Sequence, residues 1–192
     1  MWEARPRADL PLSNFEESTM SSAPQVAVLM GSDSDWSVME YAVRQLAEFD
    51  IVCEARVMSA HRTPDVVQRF VHEAPSRGIK LFIVGAGSAA HLAGAVSAHC
   101  TLPVIGVPLE VGGLGGMDAL LATVQMPAGI PVATVAVGKA GATNAGILAA
   151  QMLAIADPEI AAKVAAHRAA MAGKVAERDR AVQAQAAALL KG

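Results

Sequence analysis

From Gln25 onward, short apolar runs alternate with longer stretches of helical spacing. "QVAVLM" (25–30) is such a run, and "GSDSD" breaks it. Trp36, Met39, Val43, Leu46 and Ala47 then recur at three- and four-residue steps, the spacing that lines one face of a helix. "IVCEARVM" (51–58) reads as a second strand. Thr63 is expected to cap the next helix, with Pro64 at its first position. Val66, Val67, Phe70 and Val71 give that helix a buried face, and Gly78 ends it. "KLFIVG" (80–85) is a third strand, Ser88 to Ala98 a short helix of small residues, and "PVIGVP" (103–108) a fourth strand. Met117 to Gln125 predicts a helix and "PVATVAV" (131–137) a fifth strand. Gly141 to Ala156 is Ala-rich and helical, after which Asp157 and Pro158 open a last helix reaching toward Leu190.

Strands that alternate with helices need crossover connections, hence a parallel sheet covered on both faces. The expected fold is α/β, a flavodoxin-like three-layer α/β/α sandwich with a five-stranded parallel sheet and a long C-terminal helix over 158–190. Residues 25–192 read as one domain without internal repeats. Residues 1–24 mix Arg, Asp, Glu, Pro and Ser around no apolar core, which predicts a disordered extension rather than a secretory signal. Two stretches without formal charge, 81–109 and 119–138, are punctuated by Pro and Gly. That suits buried strands and loops better than membrane spans.

Composition narrows the function. Of 192 residues, 53% are apolar and 17% charged, too apolar for disorder and consistent with surface buried between layers or subunits. A net charge of −3 gives no electrostatic case for nucleic acid. Cys53 and Cys100 lie far apart, in no metal-like spacing, and read as reduced thiols of a cytoplasmic protein. No residue cluster resembles a metal site.

This fold binds ligands beyond the carboxyl ends of its strands. The loops there read "GSDSD", "SAHRTP" and "GAGSAAH". Gly31, Ser32 and Ser34 open a helix, whose free amides attract anions such as phosphate. The plain alternative is a capping loop with Ser34 or Asp35 as N-cap and Asp33 solvated. A phosphate would repel Asp35, which therefore belongs opposite hydroxyl donors such as a ribose. Arg62, beside these serines, strengthens the phosphate reading. His61 is the candidate acid or base, an imidazole titrating near neutrality in the general case, with the small Ser59 and Ala60 leaving room for a substrate. His91 follows Gly85 and Gly87, which let backbone approach a ligand, although a capping role would also explain it. His72, His99 and His167 read as structural or surface residues. A phospho-acceptor receiver would need an Asp at the end of the third strand, where Gly85–Ser88 stands. A flavin carrier would need aromatics in the second and third loops, and there are none. An enzyme acting on a small phosphorylated substrate uses Ser32, Ser34, Arg62 and His61 together.

"MGSDSDW", "SAHRTP", "GAGSAAHLAG" and "VQMPAGIPVATVAVGKAGATNAGILAAQML" together resemble the N5-carboxyaminoimidazole ribonucleotide mutases of purine biosynthesis, over about residues 25 to 157. The resemblance implies a homo-octamer with a ribonucleotide substrate, no cofactor and no metal. It assigns Ser32, Ser59 and Arg62 to the phosphate, with Ser34 and loop amides assisting, and Asp35 to the ribose. His61 becomes the proton shuttle. The loop of Gly85, Ala86, Gly87, Ser88, His91 and Leu92 encloses the base and the migrating carboxylate. A related branch carboxylates aminoimidazole ribonucleotide directly with CO2; it usually carries Lys where this chain has Arg62 and lacks the "AAHL" stretch. Ser88 and Ala93 depart from the family's usual Gly and Pro. Direct CO2 carboxylation and an altered ribonucleotide are the alternatives.

Overall fold

The computed structural model describes residues 23–190. All but two residues of the expected N-terminal extension lie outside this range. β1 (Val26–Met30) is buried along its whole length, as an interior strand of a sheet with two covered faces requires. The period-two alternation of strand side chains sorts it into both cores. Val26, Val28 and Met30 join Leu81, Ile83, Ile105 and Val107 in one layer; Ala27 and Leu29 join Phe82 and Val84 in the other. α1 (Trp36–Glu48) and α5 (Gly138–Ala154) cover the first layer. α2 (Pro64–Glu73), α3 (Leu92–Ala98) and α4 (Met117–Val124) cover the second.

β2 (Cys53–Val57), β3 (Leu81–Gly87), β4 (Val104–Leu109) and β5 (Ala133–Thr134) complete an all-parallel sheet in the order β2-β1-β3-β4-β5. The flavodoxin-like sandwich expected from the alternating pattern is therefore the fold. The order places the C-terminal ends of β2, β1 and β3 side by side, so the three chemistry-bearing loops share one edge.

Two local expectations are corrected and a third is refined. The fifth strand is only Ala133–Thr134, not 131–137. Pro131 has no N–H to pair, and beyond Thr134 a single bond from Val135 N to Gly106 O precedes the start of α5 at Gly138. The third helix starts at Leu92, not Ser88, because Ser88 and Ala90 take left-handed backbone angles (φ 54° and 44°) that no α-helix accepts. Thr63 is the N-cap residue of α2 with Pro64 following it, as expected, and its carbonyl accepts from Val67 N (3.2 Å), but its side chain makes no capping bond to the helix. Its hydroxyl instead accepts from Ser59 N (2.9 Å), closing the preceding loop.

α6 (Pro158–Leu189) is capped as expected, Asp157 Oδ1 accepting from Glu159 N and Ile160 N. Ile160 is buried and Val164 packs on the α1–α5 core. Met171, Val175, Val182 and Leu189 continue that stripe at helical spacing, all exposed. A second exposed stripe on α4 comprises Met117, Leu121 and Val124.

Candidate active site

The β1–α1 loop is shaped by a reciprocal cap. Ser32 Oγ accepts from Ser34 N, and the Asp35 carboxylate accepts from Ser32 N at 3.0 Å. Ser32 caps a short 3₁₀ turn (Asp33–Asp35), and Asp35 stands, as one of the two expected residues, at the N-cap position of α1, without a side-chain bond to that helix. Asp33 is exposed as expected, but its Oδ1 also accepts from Ser34 N (3.0 Å) and Ser32 Oγ (3.1 Å). Burial pushes the Asp35 carboxyl above its ordinary range, opposed by the Ser32 and Gly31 amides. Gly31 does not use the positive-φ freedom of glycine. Its role is its carbonyl, which accepts from Arg62 Nη2 at 2.9 Å and so holds the guanidinium beside Ser32.

The β2–α2 loop is built around Ser59. Its Oγ accepts from His61 N (3.3 Å) and Arg62 N (3.2 Å), while Thr63 N donates to its carbonyl (2.9 Å). Ser59 thus fixes the backbone from which His61 and Arg62 project. The hydroxyl keeps its own proton for a further acceptor.

His61 reaches the third loop. Its Nε2 lies 2.8 Å from His91 Nδ1, with the rings edge to face at 4.9 Å. Such a contact needs one ring N–H and one lone pair, so a proton lies between the two imidazoles. Thirty residues of sequence separate the partners, and nothing in either motif announces the pair. His72 and His99 meet each other at the C-terminal ends of α2 and α3, the opposite edge of the sheet. His167 rests against Phe49.

These loops enclose a cleft of about 330 Å³. It is lined by every residue expected in the site except Gly85. Gly85 lies in β3 beneath α1, where an added Cβ would fall 2.3 Å from Met39 Sδ; it is a packing glycine, not a ligand-facing one. Val111 lines the cleft without having been expected. It follows β4, the neighbour of β3, within the Gly-rich "EVGGLGG"; the order of strands in this fold was the available signal. A second concavity adjoins on the far side of Ser32, Ser59 and Arg62, lined also by Asp33, Val57 and Thr63. Among the described residues, no group of His, Cys, Asp and Glu is arranged to hold a metal.

The sequence profile of the AIR carboxylase family matches residues 25–174. The N5-carboxyaminoimidazole ribonucleotide mutase of Mycobacterium tuberculosis (strain CDC 1551 / Oshkosh) is 52% identical over 168 residues, covering 88% of this chain and 95% of that one. The corresponding mutase of Bacillus subtilis (strain 168) is 53% identical over 141 residues, covering 73% and 87%. Among solved structures, Treponema denticola PurE superimposes with a TM-score of 0.75 at 32% identity, covering 82% of this chain and 97% of that one.

Proposed function

This chain belongs to the AIR carboxylase family, and on that premise we propose how its cleft works. The enzyme is an isomerase that converts N5-carboxyaminoimidazole ribonucleotide to 4-carboxy-5-aminoimidazole ribonucleotide in purine biosynthesis.

The phosphate binds against Ser32, Ser59 and Arg62, with Ser34 and the loop amides around it. Supporting this, Gly31 O orients the guanidinium and both serines keep hydroxyls at the cleft wall. Asp35 accepts from the ribose hydroxyls; one of its oxygens serves Ser32 N, leaving the other available. The base and carboxylate lie against Ala86, Gly87, Ser88, His91 and Leu92.

His61 carries the proton, and the 2.8 Å contact with His91 is the observation that supports this most. A cationic His61 donates to the carbamate nitrogen. The N–C bond then breaks, its electron pair stays on nitrogen, and CO2 is released. Ring carbon C4 attacks that CO2, forming the new C–C bond, and the C4 proton passes to His61. Protons balance over the cycle. One imidazole that gives and then takes suits general acid–base catalysis. His91 keeps the ring aimed, while Ala86, Ala90, Leu92 and Val111 supply an apolar wall that slows escape of CO2.

Incubating the protein with the carbamate nucleotide in EDTA, without ATP, is expected to give the 4-carboxy product, identified by NMR. A requirement for ATP, or loss of turnover in EDTA restored by one specific metal, would contradict this reading.

The protein works as a homo-octamer in the cytoplasm. The exposed stripes Met171–Val175–Val182–Leu189 and Met117–Leu121–Val124 support burial against other copies. No helix among the described residues is long and apolar enough to cross a membrane. Light scattering at micromolar concentration is expected to give the octamer mass; a monomer would refute the assembly.

A further inference from the structure

We propose that the Ser88 hydroxyl donates a hydrogen bond to the migrating carboxylate, making the cleft favour carboxylated over decarboxylated nucleotide. The inference rests on the isomerase reading and adds a specificity residue to it.

Three observations meet at Ser88. Its backbone is left-handed at φ 54°, a conformation glycine would adopt without steric cost, so a side chain is held here against a steric penalty. The residue is exposed on the cleft wall, and among the described residues no hydrogen bond engages its hydroxyl. Its position in the cleft is also particular. Ser32, Ser59 and Arg62 line both the main cleft and the adjoining concavity, which marks the phosphate end. Ser88, His61 and His91 line the main cleft alone. Around them the third loop presents Ala86, Gly87, Ala90 and Leu92, so Ser88 carries the one hydroxyl on that wall. A carboxylate beside the histidine pair needs donors, and an O–H directed at an anion is stronger than one directed at a neutral acceptor. Carbon dioxide, being neutral, gains less from it than the carboxylates on either side of the transfer. The bond therefore raises affinity for substrate and product and does not lower the barrier between them.

The test compares Ser88→Ala and Ser88→Gly with native enzyme. Calorimetric titration uses 4-carboxy-5-aminoimidazole ribonucleotide and the same nucleotide lacking the carboxylate. Both variants are expected to bind the carboxylated nucleotide about tenfold more weakly, the scale of one hydrogen bond to a charged group. Binding of the decarboxylated nucleotide should be unaffected. Ser88→Gly should also melt at a higher temperature than native, since it removes the left-handed side chain; Ser88→Ala should not. The Gly variant therefore guards against loss of fold as the cause. Unchanged binding of the carboxylated nucleotide, or equal weakening of both, would overturn the role of Ser88 while native turnover leaves the isomerase reading standing. Native enzyme that binds neither nucleotide and gives no product would overturn both.

Discussion

Replacing His61 with Asn is expected to lower turnover by roughly 100- to 10,000-fold, the range for loss of a general acid–base group. Nucleotide binding, assembly and fold should survive. His61 is exposed and its backbone is held by Ser59 Oγ through the main-chain N–H, which Asn retains. Asn places its amide near the position of Nδ1, not Nε2, so it neither titrates nor reaches His91. The same geometry makes His91→Asn the milder change. There the amide falls near His91 Nδ1, the atom that meets His61, and a hydrogen-bond partner remains. The measurement is turnover beside nucleotide affinity for both variants. Normal turnover by His61→Asn, or failure only through lost binding, would remove His61 as proton carrier and leave His91 as the candidate.

Arg62→Ala is expected to weaken nucleotide binding by about 2–3 kcal/mol, roughly 30- to 150-fold, as when one member of a hydrogen-bonded charge pair is truncated. Arg62 is exposed in the structure, which favours the lower part of the range for such pairs. The dephosphorylated nucleoside should bind native enzyme poorly and be nearly indifferent to the substitution. Arg62→Lys should recover part of the loss, because an ammonium supplies charge but not the planar fork that also reaches Gly31 O. Equal losses for nucleotide and nucleoside would place Arg62 away from the phosphate.

The sheet was legible because burial on both faces leaves a plain mark: uninterrupted apolar runs such as 26–30 and 81–86, bounded by Gly, Ser and Asp. Edge pairing leaves a weaker one. The run 131–137 has the composition of a strand, but a proline without a donor and the start of α5 at Gly138 leave it two residues. The third loop is ambiguous in sequence because small residues fit both a helix and a left-handed loop, and only φ separates them. Gly85 and Gly87 look alike in sequence, yet Met39 claims the space above the first and only the second reaches the cleft. The individual residues Ser32, Ser59, Arg62 and His61 were legible from their loops. What joins them was not. The serine hydroxyls bond neighbouring backbone as well as lining the cleft, and the His61–His91 contact exists only once β2 and β3 have both paired with β1.

In the proposed mechanism the carboxylate moves from nitrogen to carbon within one cleft. The decisive experiment uses carbamate nucleotide labelled with ¹³C in its carboxylate, in excess unlabelled bicarbonate, sampled over the first turnovers by NMR. Retention of the label in the C4 carboxylate at nearly its starting enrichment is the predicted result. A product carrying the isotopic composition of the bicarbonate would contradict it, showing that the carbon comes from solution.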